Sequence, residues 1–188
     1  MELPILSPGL GPVDSGIEEW RAVPDWEGFY EISTFGRIRS LARRVSRGNH
    51  TRLVRARMMS ICHDSDGYAI IVLQRDGIAF QKKVHRLVWQ AFVGPVHLLD
   101  HKDRNRSNNM LANLRPATIS QNGMNSKLRS NSSGIKGVCW DSTRTKWRAS
   151  IKLHGRQRHL GYFDMIEDAA AAYAAAAVKY FGEFACPG

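Results

Sequence analysis

Residues 98–122 read LLDHKDRNRSNNMLANLRPATISQN, and the spacing of their polar residues decides how the rest of the chain is read. Asp100 stands beside His101; Asn113 follows twelve residues after His101, and Asn122 nine after that. Carboxylate and amide carbonyl are hard oxygen donors of the kind magnesium takes. Imidazole is the side chain that most readily exchanges a proton near neutral pH. Neighbouring side chains on an extended backbone point to opposite sides. Asp100 can therefore hold a cation while His101 serves as a base. A plainer reading stands beside this one. An Asp before a turn is often a cap, and a lone His is often structural. Asn108, Asn109 and Asn113 also fit a loop held by side-chain hydrogen bonds.

Charge narrows the choice. The 188 residues carry 27 Lys and Arg against 17 Asp and Glu, a formal net charge of +10. Such an excess favours a polyanionic partner, nucleic acid first and a membrane surface second. The charge is also clustered. From Ile32 to His63 there is no acid, yet Arg37, Arg39, Arg43, Arg44, Arg47, Arg52, Arg55 and Arg57 all occur. From Gly134 to Phe163 seven Lys or Arg meet one acid, Asp141. Two basic segments flank the Asp-His stretch, which reads as two contact regions rather than a smeared charge.

Cys62, Cys139 and Cys186 are widely spaced, with no CxxC pair. Neither a disulfide framework nor a structural zinc site is expected, and a reducing cytosol fits. No apolar run approaches the roughly 18 residues of a membrane span. Residues 1–16 are Pro- and Gly-rich without a basic start, so they read as a flexible lead rather than a secretory signal.

Local patterns give the elements. Residues 68–74 and 78–84 flank Arg75-Asp76-Gly77, a hairpin signal. Val84, Leu87, Val88, Ala91 and Phe92 have helical spacing, ended by Gly94-Pro95. Thr118 with Gln121 predicts a capping box opening a helix to about Leu128, with Asn122 in its first turn. Residues 129–133 have linker composition. Beyond them Lys146, Arg148, Ser150 and Lys152 alternate with Trp147, Ala149, Ile151 and Leu153. That is a strand with one polar and one apolar face. A turn at His154-Gly155 leads to a partner strand over 156–163, and residues 135–140 add a third. Asp164 with Glu167 predicts a second capping box for an alanine-rich helix that stops at Gly182.

From His85 onward, VHRLVWQAFVGP and LLDHKDRNRSNNMLANLRPATISQNGMNS closely resemble the HNH endonucleases, specifically the phage and intron-encoded homing group. The resemblance implies a ββα-metal core with Asp100 and Asn122 as metal ligands, His101 as general base and Asn113 as the middle motif residue. Asn122 stands where the motif often ends in His. The implied cofactor is one divalent cation, magnesium or manganese. His85 and Arg86 match the family too and are read as structural or phosphate-contacting.

Upstream, EEWRAVPDWEGFYEISTFGRIRSLARR resembles the DNA-binding module often found before this nuclease motif. It implies that Arg37, Arg39 and neighbours such as Arg43 touch DNA. Downstream, GIKGVCWDSTRTKWRASIKLHGRQRHLGYFDMIEDAAAAYAAAAVKYFGEFA resembles the Apetala/ethylene-response-factor type of DNA-binding domain, a three-stranded sheet backed by one helix. Carried across by position, its readers are Lys136, Lys146, Arg148, Ser150, Lys152, Gln157 and His159. Cys139 and Asp141 fall where plant members tend to carry arginine, so the plant target sequence does not transfer.

The expectation is an α+β chain of small modules: a lead at 1–16, a DNA-binding module at 17–66, the nuclease at 67–128, a linker at 129–133 and a DNA-binding domain at 134–188. The implied activity is metal-dependent, site-specific hydrolysis of double-stranded DNA by a monomer. One metal site per chain favours a nick. Double-stranded DNA is the expected partner and no membrane is; a phage-encoded chain would work in the bacterial cytoplasm. A non-catalytic DNA-binding regulator explains the charge equally well but leaves Asp100-His101 and Asn122 as coincidence. An RNA-binding protein explains the charge alone.

Overall fold

In this computed structural model residues 16–47, 49–126 and 131–186 are described. The lead at 1–15, the helix end at 127–128 and the start of the linker lie outside them. The chain divides into two compact units, residues 1–115 and 116–188.

The first unit is built of short strands. β1 (Trp20–Ala22), β2 (Tyr30–Ser33) and β3 (Ile38–Ser40) form an antiparallel meander, and two further strands, β4 (Arg43–Arg47) and β5 (His50–Val54), stand out as a separate hairpin. β6 (Arg57–Met58) returns to pair with β3. β7 (Cys62–His63), β8 (Ala69–Arg75) and β9 (Ile78–Lys83) form a second sheet. Asp76 and Gly77 between β8 and β9 both have positive φ, 53° and 80°, as a two-residue hairpin turn of primed type requires. α1 (Val84–Phe92) follows directly and buries Val84, Leu87, Val88 and Phe92, as its spacing predicts.

These elements share one core rather than two. Val23, Trp26, Tyr30, Ile32 and Ile38 from the upstream meander pack with Ala69, Ile71, Leu73, Val84, Val88, Phe92 and Leu114. The Tyr30 hydroxyl donates to the Gln74 carbonyl at 3.1 Å and accepts from the Gln74 N–H at 3.0 Å, stitching the two sheets. The boundary expected after residue 66 therefore separates segments that bury their apolar surface together. β10 (Leu99–His101) and β11 (Leu114–Pro116) pair as a small ladder at the end of this unit.

The second unit opens with α2 (Ile119–Asn125). Its capping box forms as read: the Gln121 N–H donates to Thr118 Oγ1 at 3.2 Å, and the Thr118 N–H donates to Gln121 Oε1 at 2.8 Å. β12 (Val138–Asp141), β13 (Lys146–Leu153) and β14 (Arg156–Phe163) form an antiparallel sheet. α3 (Ile166–Phe181) covers the apolar face through Ala169, Tyr173, Ala176 and Ala177 against Val138, Ala149 and Ile151. Alanines let the helix lie close. The second expected capping box does not form. Met165 is the N-cap, and Asp164 instead pairs with Lys146 at 3.0 Å, an alternative the cross-strand position offers and a helix pattern does not reveal. Gly182 ends α3 at φ 53°, as read. Among the described residues no helix is long and apolar enough to cross a membrane.

One glycine limits how the second unit packs. Gly137 has φ 75°, and a Cβ there would overlap the Tyr173 ring and come within 2.6 Å of the Ser150 carbonyl. Gly137→Ala combines a left-handed backbone with overpacking and is expected to cost roughly 2–4 kcal/mol. A drop in the thermal midpoint of the second unit's tryptophan fluorescence checks it; an unchanged midpoint contradicts this packing.

Candidate active site

Asp100 and His101 lie on β10, the segment whose alternation places them on different sides. Both are buried, each 5% exposed. Asp100 is held by Arg115 from β11: Nε and Nη2 both donate to Oδ2, at 2.9 and 2.7 Å. Neither side chain of this pair exceeds 8% exposure. Arg115 was not among the expected site residues. Its one signal is the position two residues past Asn113, on the strand that returns beside Asp100.

His101 Nε2 lies 3.2 Å from Asn109 Oδ1. The amide's orientation is set by its other end, where Nδ2 donates to the Ser107 carbonyl at 3.0 Å. Oδ1 can only accept, so Nε2 carries the proton and Nδ1 is left as the basic nitrogen. Burial holds the His101 pKa below the ordinary imidazole value of 6.5, against the opposing pull of Asn109, Asp103 and Asp100. The ring is neutral at physiological pH, the state a general base needs.

Asn113 acts on the loop. Its Nδ2 donates to Asp103 Oδ1 at 2.9 Å and to the Asn108 carbonyl at 2.8 Å, while the Asp103 N–H donates to its Oδ1 at 3.1 Å. Asn108 adds a 2.7 Å bond to Asp103 Oδ2. The loop-pinning reading of these asparagines holds for Asn108 and Asn113. Asn109 also holds the loop through the Ser107 carbonyl, and no motif marks it as the residue that reaches His101.

His85 is buried at 5% exposure, with its ring edge-on to His101 at 5.1 Å and beside Tyr68 at 5.2 Å. Burial pushes its pKa down to about 3. Its Nδ1 is buried without a hydrogen-bond partner among the described residues. Placed so, its ring packs between Tyr68 and His101. Arg86 points outward and reaches the His97 carbonyl at 3.4 Å. Asn122 sits on α2 in the second unit, half-buried, its N–H donating to the Thr118 carbonyl at 2.9 Å.

Among the described residues no three His, Cys, Asp or Glu side chains gather into a metal cluster. Asp100 and Asn122 are hard oxygen donors, a set that fits magnesium or manganese and not a structural zinc. A carboxylate has about four acceptor positions, so Arg115 and a cation can share Asp100.

The basic residues divide by what already binds them. Arg37 pairs with Glu18, and Arg39 pairs with Glu31 at 2.7 Å while stacking on Trp20. Arg43, Arg52, Arg55 and Arg57 instead line a groove of about 570 Å³ with Tyr30, Leu53, Met59 and Val72. No acid lines it, and none of these four has a carboxylate partner among the described residues. In the second unit Lys136 Nζ donates to the Met124 and Ser126 carbonyls at 2.7 and 2.8 Å. Arg148 donates to Cys139 Sγ at 3.2 Å, and Ser150 is buried, accepting from Gln157 at 2.7 Å. Lys152, Gln157 and His159 are exposed; Lys146 is engaged by Asp164.

Two family models match the chain: the NUMOD4 motif over residues 18–74 and an HNH endonuclease model over residues 82–124. Protein 3.8 of Escherichia phage T7 is 38% identical over 93 residues, covering 47% of this chain and 77% of that protein. An uncharacterized HNH endonuclease, L560, of Acanthamoeba polyphaga mimivirus is 35% identical over 89 residues, 47% of this chain and 46% of its own. The DNA endonuclease I-HmuI of Bacillus phage SP01 is 30% identical over 103 residues, 53% of this chain and 52% of that one. The chain thus spans about half the length of the latter two. The solved structure of I-HmuI aligns with a TM-score of 0.48 at 24% identity, over 87% of this chain and 91% of that one. With the nuclease model lying over the Asp100-His101 stretch and the phage T7 relative matched along most of its length, the chain belongs to the HNH endonucleases and is a DNA endonuclease.

Proposed function

We propose that this endonuclease is a site-specific, homing-type enzyme that nicks double-stranded DNA, with His101 as general base and Asp100 and Asn122 holding one divalent cation, magnesium or manganese. The observation that carries the reading is the buried His101, its Nε2 facing Asn109 Oδ1, beside an ion-paired carboxylate. A divalent cation bound there supplies positive charge to the scissile phosphate and its leaving oxygen. Nδ1 of His101 takes the proton of a water as its oxygen attacks phosphorus. The P–O3′ bond breaks, and the leaving oxygen takes a proton from solvent. Asn113 keeps the loop between the two strands in place, so that the base and the carboxylate keep their spacing. The work is done by one chain, as a monomer on DNA in a bacterial cytoplasm.

The ββα-metal arrangement is part of this proposal, supported by the chain order β10, β11, α2. So is the modular division. We assign DNA contact upstream to Arg43, Arg52, Arg55 and Arg57, which have no carboxylate partner among the described residues, rather than to Arg37 and Arg39. Downstream, an Apetala-like sheet would read DNA through Lys152, Gln157 and His159, with Arg148 and Lys146 beside them. Lys136, Ser150 and His85 serve packing in this reading.

His101→Ala should lower magnesium-dependent nicking of plasmid DNA by ~10²–10⁴-fold and leave DNA binding intact; unchanged cleavage rules out the base assignment. The neutral ring is the active form, so the rate falls as pH drops through the lowered His101 pKa. The acid limb of the pH–rate profile is expected below 6.5, and a midpoint above that value contradicts the burial argument. Replacing Arg52, Arg55 and Arg57 together with Ala should flatten the dependence of binding on salt by roughly 0.9 log units per lost phosphate contact, about three in all. Arg37→Ala should change the slope little; the reverse pattern returns the contact to Arg37.

A further inference from the structure

The turn between β2 and β3 reaches the catalytic loop. Gly36, buried and at φ 78°, lies so near Asn109 that a Cβ there would stand 3.0 Å from Asn109 Cβ and 3.1 Å from its carbonyl oxygen. The backbone ties the same two segments together, since the Leu111 N–H donates to the Thr34 carbonyl at 2.8 Å. The turn itself is stiff. The Gly36 N–H donates to the Ser33 carbonyl at 2.9 Å, and Ser33 Oγ accepts from the Phe35 and Arg37 N–H groups at 3.3 and 3.1 Å. Ser33 is fully buried.

Asn109 is thus caught between two fixed partners. Behind it stands the Gly36 backbone, where only a hydrogen fits; in front, its Oδ1 faces His101 Nε2. Moving Asn109 by the few tenths of an ångström that a methyl at residue 36 demands would shift or lose the bond that fixes the His101 tautomer and ring plane. We infer that Asn109 is a positioning residue for the general base and that the upstream module's 33–37 turn is the wall that sets it. The module would then be a working part of the catalytic apparatus and not an address tag alone. This rests on His101 being the base.

The test measures the saturating single-turnover nicking rate and the half-saturating enzyme concentration on one supercoiled plasmid preparation with magnesium. Asn109→Ala is expected to lower the saturating rate by roughly 100-fold, the cost of misplacing a reacting group by about an ångström. Half-saturation should stay within about twofold, because Asn109 is buried. Asn109→Asp keeps an acceptor for Nε2 and should restore most of the rate. Gly36→Ala should lower the rate about tenfold in the parent and not at all in the Asn109→Ala background, since coupled groups are non-additive.

Equal losses in both backgrounds, or an Asn109→Asp variant no better than Asn109→Ala, would overturn the inference. Should Gly36→Ala melt at the assay temperature, the ¹⁵N imidazole spectrum of His101 taken below its melting transition decides. A single Nε2–H tautomer in the parent and mixed tautomers in the variant are expected; an unchanged spectrum overturns the inference. His101→Ala separates the two failures. Full activity there removes the base assignment, whereas an inactive His101→Ala beside a fully active Asn109→Ala removes only the positioning role.

Discussion

The buried pair of Asp100 and Arg115 is the constraint around which the catalytic strands are arranged. Two charges inside a protein lose several kcal/mol each of hydration, and removing one partner typically costs 3–5 kcal/mol because the other is stranded. Arg115 therefore locks β11 beside β10 with both donors on one carboxylate oxygen. The ladder continues past the pair, with the Lys102 N–H donating to the Asn113 carbonyl at 2.9 Å. The loop of residues 102–113 is consequently closed at its base. Its asparagines have only the choice of which neighbour to bind. Such a pair is seldom the most stabilising solution, since apolar residues of similar size often do as well. What the pair does provide is orientation, since both Arg115 donors fix the Asp100 carboxylate on β10.

How far the sequence reaches is uneven, and the reasons are physical. Periodicity and turn chemistry identified α1, the Asp76-Gly77 hairpin, the Thr118 capping box and the amphipathic β13, because each depends on residues within a few positions of one another. Pairwise choices between distant residues were not legible. Asp164 chose Lys146 over a helix N-terminus, and Asn109 reaches His101 as well as the Ser107 carbonyl of its own loop. Asp100 and His101 stood out through spacing and family resemblance. Arg115 and Asn109, which determine the state of those two, carry no motif of their own.

The arginines give the same lesson about charge. Eight of them in an acid-free stretch read as one basic patch, yet acids from outside that stretch reach in. Glu18 and Glu31 take Arg37 and Arg39, which then brace the Trp20 end of the meander. Arg43, Arg52, Arg55 and Arg57 line a groove without an acid in its lining. A linear count of charge thus does not reveal which arginines already hold a carboxylate partner.

Lys136 carries a consequence for how such chains are assembled in evolution. Its ammonium closes the carbonyl end of α2, the helix that bears Asn122. A helix of seven residues is too short to hold its shape unaided. Its support comes from the sheet domain and from the turn at Gly182–Phe184. The seam between nuclease and C-terminal domain is therefore not a clean point of exchange. Recombination at the linker would leave α2 unbraced, so a replacement for the sheet that follows must arrive with its own lysine or forfeit the old one's scaffolding.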